Sequence, residues 1–225
     1  MLTTETGTQT RILAAAKTEF LEKGFRNASL RTIVKLAGVT TGAFYGYYSN
    51  KEALFSALVE PHAAAIMGKF MQAQDHFAQL PDEDQIQQMG MESGACFDWM
   101  IDYLYSDQTH YDAVKLIICC SEGTPYQDFI HQMVEVEVDA TFQFLKTLHR
   151  LGKAVPQIDR QLCHIVSSGM FSGVFEIVVH DMTKENAKNY ISALRRFYQA
   201  GWAELMQIKI QIILSIYMDL SLVVS

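Results

Sequence analysis

Cysteine and proline are scarce in this chain of 225 residues, at four each, and their placement excludes more than their number does. Cys96, Cys119, Cys120 and Cys163 lack finger-like spacing, so no zinc module is expected, and they read as buried, reduced thiols rather than a disulfide framework. Pro61, Pro81, Pro125 and Pro156 fall at or near the edges of helical patterns, and no Ser/Gly-rich linker, low-complexity tract or internal repeat interrupts the chain. Strand-like alternation is rare. Catalytic signatures are missing too: the seven histidines form no His-x-x-x-His pair, and there is neither a Gly-x-Ser-x-Gly elbow nor a glycine-rich phosphate loop. The expectation is a protein that is not an enzyme, with no catalytic residue, metal or cofactor. The first eleven residues lack the apolar core of a targeting segment. The Ile- and Leu-rich stretch 207–225 is interrupted by Lys209, Gln211 and Asp219, so no membrane is expected and the cytoplasm is the default.

What the chain does have is helical periodicity. The spacing of apolar residues predicts helices over 10–23, 29–36, 41–47, 50–79, 82–106, 109–121, 125–151 and 159–180, and from 184 onward. The fold class is therefore all-α, organised as an N-terminal three-helix domain with a helix-turn-helix (1–50) and a C-terminal helical domain for ligand binding and dimerisation (51–225).

The segment SLRTIVKLAGVTTGAFYGYYSNKEAL, residues 29–54, carries the sharpest signal. Ser29 is placed to cap a short helix that buries Leu30, Ile33, Val34 and Ala37 on one side. Gly38 supplies the left-handed corner that ends it, and Val39 plugs the corner from behind. Thr40 caps a second short helix that turns Ala43, Phe44 and Tyr48 inward and leaves Thr41, Gly42, Tyr45 and Tyr47 outside. Ser49 and Glu52 have the spacing of a capping box for the next helix. Lys51 sits in that helix's first turn, where a cation faces the positive helix end at a cost of about 0.3–1 kcal/mol, so an external phosphate is the expected partner. Each feature has an ordinary structural explanation taken singly; their order suggests a module that reads DNA.

Charge agrees when it is counted by region. The chain carries a net charge of -7, but residues 1–60 hold seven basic side chains against five acidic ones, a balance of +2, and the remainder holds 11 against 20, a balance of -9. An acidic body would repel DNA and leave the mildly basic end free to dock. Two such ends in a two-fold dimer, with reading helices about 34 Å apart, would reach successive major grooves.

Residues 10–58 resemble the N-terminal domain of the TetR/AcrR family of transcriptional regulators. The likeness is carried by Ile12, Leu13, Ala16, Phe20 and Lys23-Gly24-Phe25, then by Ser29, Ile33, Ala37-Gly38-Val39-Thr40, Gly42, Phe44-Tyr45, Tyr47-Tyr48 and Ser49-x-Lys51-x-x-Leu54. Val34, Gly46 and Tyr48 depart from the usual pattern. The resemblance implies that Thr40, Thr41, Gly42, Tyr45, Tyr47 and Lys51 lie at the DNA, the last three mostly on phosphates; Ser29 and Arg31 complete the candidate set. It also implies a small-molecule inducer site in the body, for which Trp99, Tyr103, Phe129, Met133 and Phe171 are the candidate lining residues.

Small residues recur in the helix at 159–180, where Ser167, Ser168, Gly169, Ser172 and Gly173 mark the close approach of another helix. Packing within the chain and packing against a second copy both satisfy that pattern, and the resemblance favours a four-helix dimer bundle. Gly169, Gly173, Phe197, Tyr198, Gly201 and Trp202 are its candidate interface residues. His164 and His180, and Glu135 with Glu137 and Asp139, read as helix-face residues. The function so implied is a DNA-binding transcriptional regulator: a homodimeric repressor released from a palindromic double-stranded operator by a small, largely apolar effector. The alternative is an all-α small-molecule or lipid-binding protein, or an enzyme, in which the N-terminal helices serve only as scaffold.

Overall fold

The computed structural model describes residues 2–88 and 91–207, and among them the architecture is helical throughout. Ten α-helices follow in chain order: α1 (Leu2–Asn27), α2 (Leu30–Ala37), α3 (Thr41–Tyr45), α4 (Lys51–Gln79), α5 (Asp82–Gln88), α6 (Met91–Leu104), α7 (Gln108–Cys119), α8 (Phe129–Arg150), α9 (Arg160–Val179) and α10 (Lys184–Leu205). A 3-10 turn at Pro125–Asp128, capped by Thr124, leads into α8. The helical pattern over 82–106 is described as α5 and α6 on either side of residues 89–90, which lie outside the described residues. The apolar stretch 208–225 lies outside the described residues.

Gly24 explains how α1 ends. With φ at 70° and ψ at 162° it breaks the helical path, a conformation that costs glycine little. The break releases the Phe25 N–H, which donates to the Cys120 carbonyl at the end of α7 at 2.8 Å. Phe25 then packs with Phe20 and Phe55, whose ring centres lie 5.1–5.9 Å apart, and so joins α1 to α4.

The N-terminal module is consequently anchored to the body along α1 and α7. Lys17 pairs with Asp112 at 2.6 Å, and Arg26 with Glu122 at 2.6 Å. At 29 residues, α4 is about 43 Å long, enough to run from the module into the middle of the body. It passes through Pro61 without ending. An aromatic stack clamps it just beyond that point: His62 Nδ1 lies 2.8 Å from the Tyr103 hydroxyl, and Tyr103 is stacked between Trp99 and His110.

Long and apolar enough to cross a bilayer by length and composition, α9 instead buries eight residues in the body, including Phe171, Val174 and Phe175. It packs on α8, and α10 closes over it.

Candidate nucleic-acid interface and effector cavity

The helix-turn-helix forms with the expected caps. Ser29 Oγ accepts from the Thr32 N–H at 3.4 Å, Gly38 adopts φ 63° and ψ 38°, and Thr40 Oγ1 accepts from the Ala43 N–H at 3.1 Å. Phe44 and Tyr48 are buried, whereas Thr41, Gly42 and Tyr45 are exposed, Tyr45 to 56%. Tyr47 is half-buried against the core. The reading helix is shorter than the predicted 41–47: the Gly46 N–H donates the closing hydrogen bonds of α3 to the Gly42 and Ala43 carbonyls at 3.2 Å. Arg31 and Lys35 stand exposed on α2 beside this face, and Arg11 lies near Gly38.

Two expectations at the start of α4 need correcting. Asn50, not Ser49, is the N-cap, its Oδ1 accepting from the Ala53 N–H at 2.8 Å. Lys51 has an internal explanation for its place in the first turn. Its ammonium donates to the carbonyls of Phe25 at 2.7 Å, Ala28 at 3.1 Å and Arg26 at 3.3 Å, and lies 4.5 Å from the centre of the Phe25 ring. Those carbonyls are the unsatisfied end of α1, whose negative potential outweighs the positive start of α4. Burial lowers the Lys51 pKa from its ordinary value.

Glu19 is the module's unforeseen residue. It is 1% exposed, accepts from the Ser29 N–H at 3.1 Å, and holds the Lys23 ammonium with both oxygens at 3.0 Å. Burial alone would raise its pKa; the Ser29 N–H and Lys23 outweigh that and leave it lowered. The carboxylate thereby fixes the corner between α1 and α2. Four of the seven basic residues in 1–60 thus have partners within the chain: Lys17 with Asp112, Lys23 with Glu19, Lys51 with carbonyls and, in an exposed surface pair, Arg26 with Glu122.

The body contains a cavity enclosing about 1230 Å³ when its open side is included. Aromatic side chains reach its wall from five helices: Phe70 and Phe77 from α4, Phe97 from α6, Phe144 from α8, Phe171 from α9, and Tyr198 and Trp202 from α10. Of the five lining residues expected from the sequence, Phe171 alone is in this wall. Trp99 and Tyr103 belong to the stack against His62, Phe129 packs on Phe175, and Met133 is buried in the core. The reason is position along α8, which reaches the cavity at Glu137, one turn beyond Met133 and two beyond Phe129.

Glu137 is also not the surface residue the sequence suggested. Successive helical residues turn by about 100°, so Glu135 and Asp139 share a face and Glu137 lies about 200° away from Glu135. Glu135 and Asp139 pair with Arg160 at 3.3 and 2.8 Å, while Glu137 points into the cavity and accepts from Gln74 Nε2 of α4 at 2.7 Å. Burial pushes the Glu137 pKa up to about 7. That rotation was a signal available in the sequence. Burial likewise raises the Cys96 and Cys120 thiols to about 11, which leaves them as unreactive thiols at neutral pH.

His131, Glu135 and His164 form a group whose donor atoms lie within 4.8 Å of one another, as metal ligation would require. Arg160, at 3.3 Å from Glu135, already supplies that cluster with a positive charge.

The small residues of α9 serve packing within the chain. A Cβ on Gly169 would sit 2.9 Å from the Tyr198 hydroxyl, and one on Gly173 3.3 Å from Leu194. The Tyr190 hydroxyl donates to the Gly173 carbonyl at 2.9 Å, and Tyr198 and Trp202 line the cavity. Phe197 is 72% exposed, and Gly201 is exposed beside it.

Residues 12–58 match the family model described as bacterial regulatory proteins, tetR family. The same region is similar to curated regulators: 47% identical over 49 residues to an uncharacterized HTH-type transcriptional regulator, YdgC, of Bacillus subtilis, and 32% identical over 84 residues to the HTH-type transcriptional regulator TtgR of Pseudomonas putida. These stretches cover 22% and 37% of this chain and 25% and 36% of the relatives, so the match spans about a quarter to a third of their length. The fold extends the likeness. SmeT, the repressor of the Stenotrophomonas maltophilia multidrug efflux pump SmeDEF, superposes with a TM-score of 0.52 at 19% identity, over 86% of this chain and 89% of that one. NalD, the secondary repressor of the MexAB-OprM multidrug efflux pump in Pseudomonas aeruginosa, gives 0.50 at 20% identity, over 85% and 96%. The N-terminal domain is therefore similar to the tetR family of bacterial regulatory proteins over residues 12–58, and the chain shares the helical fold of these two solved structures.

Proposed function

We propose that the protein is a homodimeric transcriptional repressor in the cytoplasm that leaves a palindromic operator when a small, largely apolar effector enters the cavity. Residues 1–50 are the DNA-reading domain, and 51–225 carry effector binding and dimerisation. The observation that carries this reading is α3: a helix with Phe44 anchored inside, Thr40 at its cap, and Thr41, Gly42 and Tyr45 outward beside exposed Arg31. A major groove admits one such helix per half-site. Ser29 and Thr40 act as caps that position the element, and Tyr47 supports it from behind.

Dimerisation is supported by apolar side chains left outside the packed body. Ile165 (60% exposed), Leu162 and Val179 lie on α9, and Phe197 lies on α10. A pair of α9–α10 units would bury them in a four-helix bundle. Switching follows from connectivity. Phe70, Gln74 and Phe77 of the cavity wall belong to the helix whose other end carries Lys51, so an effector that favours another position of α4 changes the spacing of the two reading heads.

The test is salt-dependent retention on a duplex carrying the chain's own upstream region. Tyr45→Ala and Arg31→Ala should each weaken retention at least tenfold with an unchanged melting temperature. Retention equal to wild type in both would favour a ligand-binding body with a scaffold-only N-terminal module.

A further inference from the structure

We propose that the cavity selects amphipathic organic cations, with Glu137 as the counter-charge; this deepens the effector reading above and rests on it. A carboxylate is an expensive thing to place in an aromatic wall. Glu137 shares the cavity wall with Phe70, Phe77, Phe144 and Trp202, and its described partner is the neutral Gln74 amide. Among the described residues no cationic side chain pairs with it. The cavity's other charged residue, Arg195, is drawn away: its guanidinium lies 3.6 Å from Asp98 and packs against Gly94, where a Cβ would fall 1.8 Å from Nη2. An ammonium or other organic cation would meet an anion at Glu137 and aromatic faces around it, the two features that bind such a group when water is excluded.

Selection of this kind also reaches the DNA module. Glu137 and Gln74 join α8 to α4, and a cation on the carboxylate competes with the Gln74 amide for it. The ligand's charge thus acts on the contact that holds the far half of the connecting helix.

The groups around Glu137 set its protonation. Gln74 of α4 donates to it, Cys96 of α6 and Cys163 of α9 feel its charge, and Arg195 of α10 faces Asp98. Burial favours the neutral carboxyl below about pH 7, and a permanent cation favours the ionised form. Binding of such a cation therefore releases a proton and tightens as pH rises from 6 to 8.

Three probes of one shape test the proposal: 4-phenylbutyltrimethylammonium, its uncharged carbon isostere (5,5-dimethylhexyl)benzene, and 6-phenylhexanoate, each titrated into the full chain by calorimetry and Trp202 fluorescence. At pH 8 the cation should bind at least tenfold more tightly than the neutral isostere, and the acid most weakly. Glu137→Gln should bring the cation-to-neutral ratio to about one while the neutral probe still binds. In wild type, the same ratio should fall as pH drops from 8 to 6, a readout that needs no variant. Equal binding of cation and neutral probe, or preference for the acid, overturns cation selection and leaves the cavity an effector site. Failure of all three to bind overturns both readings.

Discussion

Lys51 shows how a single side chain can serve the fold where its sequence context suggests a ligand. A cation in a helix's first turn opposes the dipole of its own helix, and the structure balances this with the carbonyl end of α1 at 2.7–3.3 Å. Lys51→Met keeps the stem and removes the donors, and should destabilise the protein by about 1–3 kcal/mol in urea denaturation. Unchanged stability together with weakened DNA retention would instead assign Lys51 to phosphate. Glu19 makes the complementary case. Its folded-state pKa is depressed, so its contribution is fully present above the ordinary glutamate range and is lost as pH falls through the lower folded value. Glu19→Gln should therefore lower the melting temperature at pH 7, with the gap to wild type closing as pH falls below the ordinary range. A gap that stays constant down to pH 3 would contradict that assignment.

At the scale of elements, local chemistry was readable wherever the backbone itself demanded a residue. Ser29, Gly38 and Thr40 act as their types predict, because caps and left-handed corners depend on nearest neighbours. Partners distant in the chain were not readable: Cys120 for Phe25, three carbonyls for Lys51, and Tyr198 for Gly169 lie 23–95 positions away. Glu137 is the intermediate case, since its rotation from Glu135 on α8 could be counted while the cavity it enters could not. The glycines of α9 give the element-scale prediction. Gly169→Val, placed against the Tyr198 hydroxyl, should cost about 1–3 kcal/mol through overpacking between α9 and α10, at any protein concentration. A loss seen only on dilution would return Gly169 to the subunit interface.

For the whole molecule, the reading surface is small and mildly charged. Four of the seven cations in the first 60 residues are paired within the chain, and Arg11, Arg31 and Lys35 are the cations proposed for the duplex. Three cations per chain would make one copy a weak ligand, and in the proposed account affinity comes from two copies held at a fixed spacing. The exposed Ile165 and Phe197 are the surface through which that pairing is proposed. Ile165→Glu combined with Phe197→Glu should yield a folded monomer in sedimentation, with DNA affinity reduced at least a hundredfold. A variant that remains dimeric would move the interface elsewhere. The most direct measurement is the stoichiometry and salt dependence of binding to the chain's own upstream duplex, followed by fluorescence anisotropy. The account predicts two copies per site, an affinity that falls steeply between 50 and 200 mM salt by the general behaviour of phosphate contacts at roughly those concentrations, and release by a cavity ligand. One copy per site, or binding insensitive to salt, would contradict it.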